Sequence, residues 1–122
     1  METKTVLDIA GEGNVAVASF TSTCISDVEE IANALAQVRD YIDKNQPGRM
    51  VFDFSGVKFF SSQVLGLLLE ARARLEPHAG KVVLCALNAQ LQRVFKITNL
   101  DTIFASYPDK DAALSEPAGA PG

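Results

Sequence analysis

Residues 51–69 read VFDFSGVKFFSSQVLGLLL. An apolar run closes at Asp53 and Phe54, a short segment from Val57 to Phe60 leads to Ser61 and Ser62, and a densely aliphatic stretch follows at once. Met50 to Phe54 is compact and β-rich. Val64, Leu65, Leu67, Leu68 and Leu69 instead point in nearly every direction around the first turns of a helix. The stretch thus predicts strand, link and helix in immediate succession. The helix should run from about Ser62 to Leu75 and end before Pro77, because proline disfavours a helical conformation in the residue before it. A helix start leaves several backbone amides unpaired, and either serine can serve as the N-cap. One serine suffices for that, so the other hydroxyl is spare.

Downstream, Lys81 to Cys85 is a continuous apolar strand of the kind buried on both faces of a sheet. Asn88 can cap a third helix carrying Leu91, Val94 and Phe95, with Asn99 near its end. A short strand around Ile103 to Ala105 and a last helical turn or two after Pro108, ending near Leu114, complete the ordered part. Ser115 to Gly122 is rich in Pro, Gly and Ala, has nothing to bury and is expected to be a disordered tail. Upstream, Thr5 to Ala10 and Val15 to Phe20 are β-rich and flank Gly11 to Asn14, which reads as a hairpin with a Gly-containing loop. Ser26-Asp27-Val28-Glu29 has the form of a capping box. Val28, Ile31, Leu35, Val38 and Ile42 then lay one apolar stripe along about four turns before Asn45 to Gly48 stops the helix. Two strands followed by alternating helix and strand predict an α/β fold in one domain over residues 1–114. Its mixed sheet is mainly parallel, with the N-terminal hairpin as an antiparallel edge and helices packed on the sheet.

At 122 residues with 48% apolar and 21% charged residues, the chain is large enough for one core, and its apolar runs are too short to span a bilayer. No basic start precedes an apolar segment, so secretion is not indicated and a cytoplasmic protein without membrane insertion is expected. Cys24 and Cys85 sit alone in apolar segments and read as small buried hydrophobes. A formal charge of −4, with no cluster of Lys and Arg among aromatics, argues against direct nucleic-acid binding.

Catalysis finds little support. The single histidine, His78, lies in the turn Pro77-His78-Ala79-Gly80 and reads as a solvated loop residue. No nucleophile elbow, zinc-binding helix motif or phosphate-cradling glycine loop is present, so no catalytic residue, metal or cofactor is expected. Asp53 stands where receiver domains of small α/β architecture keep a phosphoacceptor. The acidic cluster and the lysine that such a domain also needs are missing, and Asp53 reads as a strand-end carboxylate bonding nearby turn amides. The serines are different. A phosphate at a helix start lies where amides and the macrodipole favour negative charge, so it would add about −1.5 to −2 charge without unfolding the helix. The aliphatic helix that follows is either covered by neighbouring helices or left as a partner surface.

Together, VFDFSGVKFFSSQVLGLLL and GKVVLCALNAQLQRVFKITNLDTIF, residues 80–104, resemble the STAS domain of bacterial anti-sigma factor antagonists. The shared pattern is a strand ending in Asp, a short link, a serine-containing turn with Leu-Gly, a Gly-Lys-led strand, and a helix running into a final Phe. The resemblance implies a non-enzymatic regulator that binds an anti-sigma factor which is also a serine kinase, is released from it by phosphorylation, and is restored by a serine phosphatase. The family's phosphorylatable residue falls on Ser62, with Ser61 second, and Leu65 and Gly66 match its Leu-Gly. The partner-binding face implied is Phe60, Ser61, Ser62, Gln63, Val64, Leu65 and Gly66. A local reason for Gly66 is that a missing side chain lets a helix approach a strand closely. Ser61, Gln63 and Val64 replace the family's Asp, second Ser and first Gly, which removes a carboxylate and adds bulk where a partner would approach. The alternative implied by those departures is a STAS scaffold without the switch, serving as a subunit of a signalling or membrane-transport complex.

Overall fold

The computed structural model describes residues 6–115. Strands β1 (Leu7–Glu12) and β2 (Val15–Phe20) form the N-terminal hairpin. Glu12 stands opposite Val15, so only Gly13 and Asn14 make the turn, with Gly13 at φ 62°. The expected four-residue loop is shorter because Gly11 and Glu12 remain paired in β1. Then follow β3 (Cys24–Ile25), α1 (Val28–Asn45), β4 (Arg49–Asp53), β5 (Phe59–Phe60), α2 (Ser62–Leu75), β6 (Lys81–Cys85), α3 (Ala89–Ile97), β7 (Ala105–Tyr107) and α4 (Lys110–Ser115). The main sheet has the order β1-β2-β4-β6-β7, antiparallel at the hairpin and parallel elsewhere. This is the mixed α/β architecture expected from the sequence. Apart from Ser115, which closes α4, the expected tail lies outside the described residues.

The two-residue strand β3 was not legible in the sequence, and it pairs in parallel with β5 as a separate small sheet. The last strand is also displaced from its expected place. Phe104 is buried and Ile103 is 42% exposed in the preceding turn, and the ladder to β6 begins only at Ala105.

Each helix start is built differently. Asp27, not Ser26, caps α1, accepting a hydrogen bond from the Glu30 amide at 3.0 Å. Val28, expected in the apolar stripe, is the first helical residue and is 65% exposed, while Ile31, Ala34, Val38 and Ile42 are buried. Asn88 caps α3 as expected, accepting from the Leu91 amide at 2.8 Å, and its own amide donates to the Val57 carbonyl at 3.1 Å. Ser61 occupies the cap position of α2, yet its hydroxyl makes no capping bond.

Side-chain alternation along the strands divides the core in two. Ala16, Ala18, Phe20, Met50, Phe52, Val82 and Leu84 face α1, α2 and α3, and all are buried. Val51, Val83 and Cys85 face the other way and are covered by Ala113 of α4. On that second side the buried Arg49 donates from Nη1 to the Ala113 carbonyl at 2.9 Å, pinning the end of α4 where the helix dipole favours a cation. Gly80 is needed for close approach at the foot of β6, since a Cβ there would come 2.8 Å from the Pro47 carbonyl oxygen. Cys85 lies beside Asp53 in register, and burial, reinforced by that carboxylate, pushes its thiol from the ordinary value of 9.0 up to about 12.

Two expectations follow from these contacts. Asn88→Ala should cost about 1 kcal/mol in urea unfolding, whereas Ser61→Ala should cost less than about 0.5 kcal/mol or stabilise, because it removes a hydroxyl that caps nothing. Equal losses would contradict the difference between the two caps. The Cys85 value is raised in the folded state, so the unfolded chain releases that proton first as pH climbs. Stability is therefore intact below pH 9.0 and falls by a few kcal/mol on the way to about 12. Urea titrations across that window should show a shallower decline for Cys85→Ala than for the parent, and identical declines would exclude the thiol as the source.

Candidate functional site

The site is assembled where β5 hands over to α2. Adjacent residues of an extended segment point to opposite sides, so Phe60 and Phe59 diverge. Phe60 turns inward, with its ring centroid 5.7 Å from that of Phe54 and 5.9 Å from that of Phe95. Phe59 stays 49% exposed. The Ser61 amide donates to the Ile25 carbonyl at 2.9 Å, extending the β3–β5 pairing to the edge of the helix. Its carbonyl accepts from the Val64 amide at 3.0 Å, and the first turn closes. Ser61 Oγ is thereby enclosed, and it has no hydrogen-bond partner among the described residues. Ser62, the first helical residue, is exposed.

Of the residues expected to form the partner face, Ser62, Gln63 and Gly66 are exposed, while Phe60, Val64 and Leu65 are buried and Ser61 is part-buried. Val64 therefore adds no bulk to the outer face, contrary to the expectation for that departure. Its side chain belongs to the core between α2 and its neighbours. The rationale for Gly66 is corrected as well. A Cβ on Gly66 would meet nothing within 4 Å, so no strand is approached closely there. Most of the aliphatic helix is covered from within: Val64, Leu65, Leu67 and Leu68 are buried, and only Leu69 emerges, at 39% exposure. Ser62, Gly66 and Leu69 follow at i, i+4 and i+7 and share one outward stripe. Leu69 gives that stripe an apolar end and Phe59 is exposed on β5 just before the helix, while Cys24, opposite Phe59 in register, is exposed rather than buried as its sequence context suggested.

Charge is distributed unevenly around this stripe. The first turn of α2 contains no acidic residue, whereas α1 begins with Asp27, Glu29 and Glu30. The β3–β5 pairing holds the two helix starts side by side. An anion on Ser62 would thus gain from the α2 amides and macrodipole while adding to the negative charge at the start of α1. Further along α2, Glu70 bonds to Arg39 and also meets Arg74, which reaches Asp43 at 3.1 Å, so α1 and α2 are laced together. The Arg39 hydrogen bond holds the Glu70 carboxyl below its usual value. Asp53 accepts the Ser55 amide at 2.9 Å, as its turn reading has it, and His78 is exposed in the short turn Glu76–His78. The arrangement presents one exposed hydroxyl, that of Ser62, at the start of a helix whose first turn has no acidic residue.

Comparison with known proteins agrees with the geometry. The STAS domain family model matches residues 4–113. BtrV of Bordetella bronchiseptica, by name a candidate anti-sigma factor antagonist, is 30% identical over 95 residues, which are 75% of this chain and 81% of that protein. A STAS domain protein from Planctomyces limnophilus superposes with a TM-score of 0.80 at 24% identity, covering 93% of this chain and 97% of that one. The phosphorylated form of the Bacillus cell fate determinant SpoIIAA superposes with a TM-score of 0.68 at 18% identity, covering 88% and 96%. Among the described residues no helix is long and apolar enough to cross a membrane. The chain belongs to the STAS domain family.

Proposed function

We propose that this chain is an anti-sigma factor antagonist whose docking to an anti-sigma factor, itself a serine kinase, is gated by phosphorylation of Ser62. It would act on transcription through that partner, and a serine phosphatase would reset it. The observation that carries this reading is the division of labour in the serine pair: Ser61 is enclosed, and Ser62 stands exposed at the start of a helix free of acidic residues in its first turn. The existence of a phosphorylated form of the fold neighbour SpoIIAA supports it.

Docking by the unmodified protein would use the stripe of Ser62, Gly66 and Leu69 with Phe59 alongside. Apolar area there is modest, limited to Phe59 before the helix and Leu69 two turns along it. A phosphate would be accommodated by the fold and rejected by the interface, because a dianion must be desolvated or must face like charge when the partner closes over it. Gly66 supports the same surface. In the exposed middle of a helix, glycine costs roughly 0.5–1 kcal/mol relative to alanine, and no contact within the chain requires it. Close approach by a partner backbone would account for it.

The test uses the host's anti-sigma-type kinases with ATP, mapping of phosphate by mass spectrometry, and calorimetric titration of the partner. Phosphate is expected on Ser62 and to vanish in Ser62→Ala, which keeps its affinity. Ser62→Asp should bind at least tenfold more weakly, about 1.4 kcal/mol. Parent-like binding by Ser62→Asp, with no phosphate incorporated, would favour a constitutive STAS subunit of a signalling or transport complex instead. Gly66→Ala should raise unfolding stability by roughly 0.5–1 kcal/mol while weakening docking, and unchanged affinity would take Gly66 out of the contact.

A further inference from the structure

Helices α1 and α2 are laced together along only part of their length. Arg39 of α1 bonds to Glu70 of α2, and Arg74 of α2 bonds to Asp43 of α1, each pair 31 residues apart. The two helices therefore run side by side in the same direction, and each α1 residue stands level with the α2 residue 31 further along the chain. Positions i−4, i−7 and i−11 from Arg39 share its side of α1, and they are Leu35, Ala32 and Val28. The matching positions back from Glu70 are Gly66 and Gln63 on α2, and Phe59 in β5 just before it. Ion pairs close the lower levels of this seam, and nothing comparable closes the levels nearer the helix starts.

That upper part is bare on both sides. Val28 faces α2 and is still 65% exposed, and Ala32, below it, is exposed too. Across the seam Gln63 is exposed, and a Cβ on Gly66 would meet nothing within 4 Å. Leu35, half-buried against the main core, makes the floor. These residues line a shallow trough, roughly 10 Å long from Val28 to Leu35 at the helical rise, stopped below by Arg39 and Glu70. Its lining is uncharged, while Asp27 and Glu29 stand exposed at its open end. Ser62, at i−4 from Gly66, forms its lip.

The backbone around Leu35 and Gly66 is committed to helical hydrogen bonds, so an extended peptide laid there would find nothing to pair with, whereas a helix brings its own bonds satisfied. Small side chains at Ala32 and Gly66 leave room for a third helix to settle between the first two. We propose that this trough receives about two turns of an amphipathic helix of the anti-sigma partner, with an uncharged stripe between Val28 and Gly66 and a basic side chain beyond it at Asp27 and Glu29. This contact presupposes docking of that partner at the Ser62 surface and extends it from α2 onto α1. A phosphate on Ser62 then stands against the uncharged stripe, away from the basic residue at the open end, and has to be dehydrated for the helix to seat.

The experiment mixes the full deuterated, amide-labelled chain with the host's unlabelled anti-sigma-type kinases, measures cross-saturation by NMR, and compares variants by calorimetry. Saturation is expected at residues 28–35 and 62–66 together. Ala32→Arg, at an exposed position and with a good helix former, fills the trough and should weaken binding about tenfold without moving the urea midpoint. Asn33→Arg, on the neighbouring outward side of α1, should bind within about twofold of the parent. Glu29→Lys should weaken binding several-fold at low salt and less at high salt. In the kinase, hydrogen exchange should slow over one helical stretch. Weak binding by Ser62→Asp with parent-like binding by Ala32→Arg would overturn the trough and leave the Ser62 reading intact, while the reverse pattern would support the trough and remove gating at Ser62. Saturation confined to α2, or exchange slowed only in loops of the kinase, would each overturn the proposal. Failure of the parent to bind any of the kinases would overturn both.

Discussion

Burial of the Phe60 ring governs the handover from β5 to α2. Wedged between Phe54 and Phe95, it fixes the direction from which the chain enters the helix, and so which of the two following hydroxyls is enclosed and which meets solvent. The ring does not act alone, because the short pairing of β3 with β5 and the bond from the Ser61 amide to Ile25 hold the backbone at the same point. Losing the aromatic side chain from a packed core would cost on the order of 3–5 kcal/mol. It would also release the one place where sheet, helix start and outer surface are aligned. Six of the seven phenylalanines are joined through Phe20, Phe52, Phe54, Phe60, Phe95 and Phe104, and the exception, Phe59, is the one at the surface.

Strong local signals were read well from sequence. The bounds of α2 and β6 were legible because an uninterrupted aliphatic or β-branched run stands between clear breaks, Pro77 on one side and Ala79-Gly80 on the other. Asn88 was legible as a cap because few alternatives surround it. Features set by tertiary contact were harder. β3 consists of two residues whose only claim to be a strand is the presence of Phe59 and Phe60 across from them, and no periodicity of its own reveals that. Ser26 and Asp27 are both good caps, and only the geometry of the entering chain chooses Asp27.

The site itself was half legible. A helix-start serine and the aliphatic run mark a region in the sequence, but neighbourhood in sequence does not give the direction in which each residue of that region points. Val64 and Leu65 look like partner contacts only until the helix is turned to bury them. Gly66 looked like a packing device until its surroundings proved empty. Phe59 and Cys24 were missed because the outward side of a two-residue strand carries no pattern. The alternation of two adjacent phenylalanines was the one available hint.

The two thiols of the chain live in unlike surroundings. Cys85 is sealed beneath α4 beside a carboxylate, and its proton is held up to about 12. Cys24 is open to solvent one strand away from Phe59. A maleimide dye or spin label applied to the unaltered protein at neutral pH would therefore attach at a single place. That place adjoins the surface where α2 begins, so complex formation becomes visible by fluorescence or paramagnetic relaxation without a single engineered residue.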